Sequence, residues 1–125
     1  MRYYLKNIVK PLNRIKMAKF EVFISEKSGD HYFNLKASNG QVILTSQGYS
    51  AKAGCENGID SVKTNSKSDA QFERKQAKNG KWHFNLIAKN KQIVGSSQMY
   101  ASKSGMENGI KSVMENAANA EVMQR

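Results

Sequence analysis

Six residues have the polar types from which a recognition site could be built, and they come as two identical trios: Lys52, Glu56 and Asn57 recur as Lys103, Glu107 and Asn108. A lysine, a carboxylate and an amide this close together supply donors and acceptors of both charges, and polar identity is less easily forced by packing than apolar identity. On a helix each lysine stands four residues before its glutamate, the less favourable order, so the default is a solvated ion pair worth roughly a few tenths of a kcal/mol. Stronger chemistry is missing. His31 and His83 have no Cys, Asp or Glu at ligand spacing, so no metal is expected. No Ser-His-acid set, no glycine-rich phosphate loop and no carboxylate pair of predictable placement is present, so the chain is expected to have no catalytic residue and no cofactor and not to be an enzyme.

Both trios sit in a longer frame, Tyr-x-x-Lys-x-Gly-x-Glu-Asn-Gly-Ile-x-Ser-Val, which runs from Tyr49 to Val62 and again from Tyr100 to Val113. An internal repeat of this kind outranks any single-residue reading. Ala51, Cys55, Ile59 and Val62 fall on one helical face, with Ser50 as the expected N-cap. Inside that helix Gly54 and Gly58, like Gly105 and Gly109, should each cost about 1 kcal/mol relative to alanine. Something must pack closely enough to offset them. The sheet or the sister helix is the expected neighbour, with a ligand groove as the competing account, and Lys52, Glu56 and Asp60 rule out a membrane-embedded glycine motif.

The helices need strands ahead of them. Phe20, Val22 and Ile24 alternate with Glu21, Phe23 and Ser25, and Phe33, Leu35 and Ala37 alternate with Tyr32, Asn34 and Lys36, the pattern of half-buried strands. Asn39-Gly40 predicts a two-residue hairpin turn into a third strand, Val42 to Thr45. From Phe33 to Asn65 the second copy follows without gaps at an offset of 51, and Phe72 falls opposite Phe20 if the second copy's first hairpin is one residue shorter. Asn90-Lys91 in place of Asn39-Gly40, and Gly95 in place of Leu44, predict a less regular second half.

The chain then divides into a basic N-terminal extension (1–16), a first β-β-β-α repeat (17–65), a linker (66–71), a second repeat (72–120) and a tail (121–125) with a frayed end at Gln124-Arg125. The extension is read as lying ahead of a natural start at Met17-Ala18-Lys19, and it contains five of the basic residues behind the formal charge of +10. A unit of this size is too small for a core of its own, so the two repeats are expected to form one α+β domain: an antiparallel sheet with two helices on one face, related by a pseudo-twofold axis, in a monomeric chain. No apolar run approaches the ~20 residues of a membrane span. A single cysteine, Cys55, placed among apolar helix positions, suits a reducing, cytoplasmic setting.

The frame of strand, Lys-Ala-x-Asn-Gly, strand, Ser-x-Gly-Tyr-x-x-Lys-x-x-x-Glu-Asn-Gly-Ile-x-Ser-Val resembles the small YegP-like bacterial proteins of unknown function, in their tandem form. The resemblance covers about residues 17 to 120. It implies two repeats that build a single sheet and exchange their helices, and it implies no activity. The function expected is therefore a non-catalytic binding or structural module that engages a protein or small ligand through the uncovered sheet face or the Lys-Glu-Asn patch. The alternative is nucleic-acid binding through basic charge and a platform of Tyr32, Phe33, Trp82 and Phe84 among Lys36, Lys81 and Lys89. Strand alternation works against that platform, because it turns Phe33 and Phe84 to the core and leaves Tyr32 the only aromatic clearly on the other face, opposite His83 in the alignment.

Overall fold

The computed structural model describes residues 17–125, so the readings made for residues 1–16 lie outside it. Strands β1 (Lys19–Ile24), β2 (His31–Lys36) and β3 (Val42–Ser46) precede helix α1 (Lys52–Asn65). After a 3-10 turn at Asp69–Gln71, strands β4 (Phe72–Gln76), β5 (Trp82–Ile87) and β6 (Ile93–Ser96) precede α2 (Lys103–Asn116), and a second 3-10 turn leads into β7 (Glu121–Gln124). All seven strands form one mixed sheet in the order β4-β5-β6-β3-β2-β1-β7.

The two halves meet where β3 pairs antiparallel with β6, and Thr45 stands opposite Ser96, its own counterpart in the other repeat. The pseudo-twofold axis passes through that pair. Both helices cover the same face and straddle the join: α1 packs on β2 of its own repeat and on β5 and β6 of the other, and α2 packs on β5 and reaches β3. The core repeats with the sequence, since Phe20 meets Phe33 edge-on at 5.6 Å and Phe72 meets Phe84 edge-on at 5.6 Å. Cys55, Ile59 and Val62 from α1 and Met106, Ile110 and Val113 from α2 close it from above. About 25 cal/mol per Å² of apolar burial, drawn from both repeats at once, is what a single unit of this size would lack.

Several local expectations are corrected. Asn39-Gly40 is not a two-residue turn: Gly40 N–H bonds the Ala37 carbonyl, Ala37 N–H bonds the Gln41 carbonyl, and only Gly40 has positive φ, which makes a three-residue loop with a glycine bulge. The second half is no less regular than the first. Ala88–Gln92 repeats the loop with Lys91 at φ 74°, and both hairpins shift register at matching points, Leu35/Lys36 and Leu86/Ile87. Gly95 is also no irregularity, because a Cβ there would lie 2.9 Å from Leu44 Cγ and 3.1 Å from the Thr45 carbonyl oxygen. The frame position is the same in both copies, but so near the axis only one of them can hold a leucine.

The end of the chain is not frayed. β7 adds to the outer edge of β1 in parallel, so the sheet is antiparallel except at this edge. Arg125 N–H bonds the Val22 carbonyl at 2.8 Å and the Arg125 guanidinium pairs with Glu21 at 2.5 Å, contacts that hydrophobic periodicity does not reveal. No helix among the described residues is long and apolar enough to cross a membrane.

Candidate functional site

The glycines of the repeated frame have an occupant from the same frame. Tyr49 is pinned to the start of β2 by paired backbone bonds with His31 (2.7 and 2.8 Å), and Tyr100 is pinned to Trp82 in the same way (2.7 and 2.8 Å). Each ring therefore runs under its own helix. A Cβ on Gly58 would come within 2.8 Å of Tyr49 Cζ and 3.1 Å of Phe33 Cε2, and one on Gly109 within 2.7 Å of Tyr100 Cζ and 3.2 Å of Phe84 Cε2. Gly54 and Gly105 flank the same two rings. The expected close neighbour, sheet or sister helix, is thus mainly the tyrosine nine residues ahead of each second glycine. Burial pushes the Tyr49 phenol and the Cys55 thiol up, which keeps both protonated and makes Cys55 an unreactive core residue.

The Lys-Glu-Asn trios share a sequence but not a set of bonds. Neither Lys52–Glu56 nor Lys103–Glu107 forms the expected ion pair among the described residues; in the second trio Glu107 is taken instead by Arg74 of β4 through two bonds of 2.6 and 3.0 Å. Hydrogen bonds from Arg74 hold the Glu107 carboxyl below the usual carboxylate range. Lys103 instead stands 5.8 Å from the Trp82 ring centroid. In the first repeat the counterpart of Arg74 is Val22, and Lys52, Glu56 and Asn57 all face solvent. Among the described residues the Asn57 and Asn108 side chains make no protein hydrogen bond. Helix α1 starts one residue later than expected: its N-cap is Ala51 rather than Ser50, with no side-chain bond, whereas Ser102 caps α2 through Gly105 N–H at 3.0 Å.

The uncovered face of the sheet presents a transverse polar row, with each residue directly across from the next: Glu73, Asn85, Ser96, Thr45, Asn34 and Glu21. Thr45 and Ser96 hydroxyls donate to Asn34 and Asn85 at 2.8 and 2.6 Å, symmetric about the axis, and the Asn85 amide donates to Glu73 at 3.1 Å. Beyond this row the halves diverge. In the first repeat Phe23 stacks on Tyr32 (centroids 5.7 Å apart, planes at 14°), and Arg125 lies over the Phe23 ring, 4.3 Å from its centroid. Arg125, and then Lys36, hold the Glu21 carboxyl below its usual range. Phe23, Ile24, Lys27, Tyr32, Thr45 and Arg125 line a groove of about 530 Å³. In the second repeat the counterparts of Phe23 and Tyr32 are Lys75 and His83.

Phe33 and Phe84 are fully buried, which removes half of the four-ring platform, and Trp82 packs against the core. Tyr32 is joined on the open face by Phe23, which the sequence reading left out. Its signal was an aromatic in the polar phase of β1, in line with Glu21. Arg74 was missed as well, and its signal was a charge in the apolar phase of β4. Among the described residues no three His, Cys, Asp or Glu side chains gather closely enough to hold a metal ion.

A family model described as a domain of unknown function, DUF1508, matches this chain twice, at residues 26–73 and 77–123. Each match runs from a hairpin through a helix into the strand that follows, and the second takes in most of β7. The chain is 49% identical over 105 residues to a UPF0339 protein encoded in the 5′ region of the ptx operon of Stutzerimonas stutzeri, covering 84% of this chain and 94% of that protein. Among solved structures it is similar to the NMR structure of the Escherichia coli protein of unknown function YegP (TM-score 0.83, 45% identity, 89% of this chain and 95% of that one). A UPF0339 protein from Shewanella oneidensis matches with TM-score 0.81 and 48% identity, over 86% of this chain and 90% of that one.

Proposed function

We propose a binding role for this chain, which belongs to the DUF1508 family and carries two copies of its domain. The reading is of a non-catalytic module of a reducing cytoplasm that engages a protein or small ligand through the open sheet face of the first repeat. The observation that supports it is the Phe23–Tyr32–Arg125 stack beside its groove. The two repeats share what folding requires, yet an aromatic pair on the solvent side, a first hairpin one residue longer and the Arg125 contact all converge on one spot in one repeat. Half-buried aromatic pairs walled by a cation provide apolar contact at low entropy cost.

The test is a saturation-transfer NMR screen of small aromatic acids and amides against the full chain and against Phe23→Ala/Tyr32→Ala. Ligands that bind the parent and are lost by the folded variant support the reading, and ligands retained by the variant remove the groove from consideration. The outer helix faces with Lys52, Glu56, Asn57, Lys103, Glu107 and Asn108 are the second surface, read out by the same screen as retained binding lost on Lys52→Ala/Glu56→Ala. Nucleic-acid binding draws on the net charge of +10 and on the Phe23–Tyr32 pair. A steep fall of single-strand affinity with salt, together with loss in Phe23→Ala/Tyr32→Ala, would favour it over the small-ligand reading.

A further inference from the structure

The pseudo-twofold axis carries β1 onto β4, but the two strands are treated differently at their outer edges. Ala18 and Val22 carbonyls point outward and are taken by Glu121 and Arg125 N–H groups of β7 and its end. In β4 the residues whose main-chain groups face outward are Phe72, Arg74 and Gln76, because Ala77 N–H bonds inward to the Lys81 carbonyl and strand groups alternate; of these groups the Phe72 N–H is already taken by the Asp69 carbonyl. No strand among the described residues adds to this edge. Its one described acceptor contact is a long one, Arg74 Nη1 to the Phe72 carbonyl at 3.4 Å.

Charge also separates the two edges. The strand segment 17–46 holds three basic and three acidic residues, whereas the matching segment 69–97 holds six basic and two acidic. Lys75, Lys78, Lys81, Lys89 and Lys91 replace Phe23, Glu26, Asp30, Ser38 and Gly40. Lys78, Lys81, Lys89 and Lys91 have no acid within ion-pair reach among the described residues. Beside the start of β4 a second groove, of about 510 Å³, is lined by Gln71, Glu73, Ile87, Lys89 and Lys91.

We infer that the outer edge of β4 binds an extended acidic peptide segment of a partner protein, which adds to the sheet in parallel as β7 adds to β1. Main-chain bonds would use the Phe72 carbonyl, the outward groups of Arg74 and the Gln76 N–H, and an apolar side chain would lie beside Phe72 as Val122 lies beside Phe20. Where Arg125 stacks over Phe23, the incoming strand meets Lys75 in its place, so that position calls for an acid. The first residue of the strand, at the place of Glu121, faces the groove bearing Lys89 and Lys91 and calls for an acid too. A row of outward N–H and C=O groups fits a peptide main chain, which is why this surface is assigned to a peptide rather than to a nucleic acid.

The probe is the synthetic peptide Ala-Asn-Ala-Glu-Val-Met-Glu-Glu, the β7 sequence and its lead-in with the last two residues made acidic. Titrated into the 15N-labelled full chain, it should shift the Gln71–Gln76 amides and slow hydrogen exchange at Arg74 and Gln76. Gln76→Pro, which removes an N–H that the fold does not use, and the Lys75→Glu/Lys91→Glu pair should each weaken binding about tenfold, while Lys52→Glu leaves it unchanged. Shifts confined to Phe23 and Tyr32, or none, would overturn the inference without touching the groove reading. So would a single-stranded oligonucleotide that shifts the lysine-rich turns when the peptide does not. Protection of those two amides without peptide would also overturn it: if it rises with protein concentration the occupant is a second copy, and if it does not the chain covers its own edge.

Discussion

The first and second repeats differ at four kinds of position, and each kind has a different cause. At the axis, identity is forbidden by geometry: Leu44 fills the space that Gly95 leaves empty. At the turns, Gly40 and Lys91 hold the same backbone at φ 87° and 74°, so the sequence has drifted under a fixed conformation. At the helix starts, Ala51 and Ser102 occupy the same N-cap position, with a bond in only one copy. On the open face and outer edges, Phe23 against Lys75 and Val22 against Arg74 change what the surface offers, and the frame is indifferent to them. Positions kept in both repeats, Tyr49 with Gly58 and Tyr100 with Gly109, mark what each unit needs in order to fold.

The largest effect is expected at the axis. Gly95→Leu should destabilise the chain by about 3 kcal/mol, because the new side chain meets buried Leu44 and the Thr45 backbone. Exchanging the two residues, with Leu44→Gly added to Gly95→Leu, should recover most of that loss if the halves are true pseudo-symmetric mates. Urea unfolding of the four species decides it, and a double variant no better than Gly95→Leu would show that the surroundings of Leu44 and Gly95 are not interchangeable. Next comes the feature the copies share. Gly58→Ala and Gly109→Ala each trade about 1 kcal/mol of helix propensity against a clash with a tyrosine ring, for a net loss of about 1 to 2 kcal/mol. The two losses should agree, and a marked difference would mean that one ring is free to swing away.

Hydrophobic alternation and the repeat made six strands, two helices and the pseudo-twofold legible without coordinates, because the pattern of Phe20, Val22, Phe33 and Leu35 and its copy could satisfy only one arrangement of faces. β7 was not legible. Glu121–Gln124 is exposed on both sides, and its place is set by backbone bonds and the Arg125–Glu21 pair, which leave no period in the sequence. The glycine stripe could be read as a close contact, yet its partner was hidden because Tyr49 reaches Gly58 only after its backbone is tied to His31. The Lys-Glu-Asn trios misled in the opposite way. Identical letters in the two copies suggested identical bonds, but Glu107 answers to Arg74, a residue outside the frame.

A smaller effect separates the turns. Lys91 pays for its left-handed backbone with a Cβ that Gly40 does not have, so Lys91→Gly should stabilise the chain by about 1 kcal/mol and Gly40→Lys should cost a similar amount. Thermal unfolding of the two variants measures both. If Lys91→Gly lowers stability, the lysine side chain is making a compensating contact at the second groove, and its role there would be structural rather than part of a docking edge.

The smallest effect lies at the helix starts, and it isolates a single hydrogen bond. Ala51 and Ser102 have nearly the same backbone, φ −134° and −138°, ψ 152° and 157°, so a serine at 51 needs no rearrangement to add a side-chain acceptor for the Gly54 N–H, which already bonds the Ala51 carbonyl at 3.1 Å, as Ser102 does for Gly105. Ala51→Ser should therefore stabilise by about 0.5 to 1 kcal/mol, and Ser102→Ala should destabilise by the same amount. The two changes are far enough apart to add, so the double variant, which moves the cap from one repeat to the other, should match the parent in urea unfolding. A double variant that differs from the parent would show that the two helices do not contribute equally to the shared core. In that case the symmetry of the backbone would conceal an asymmetry of stability.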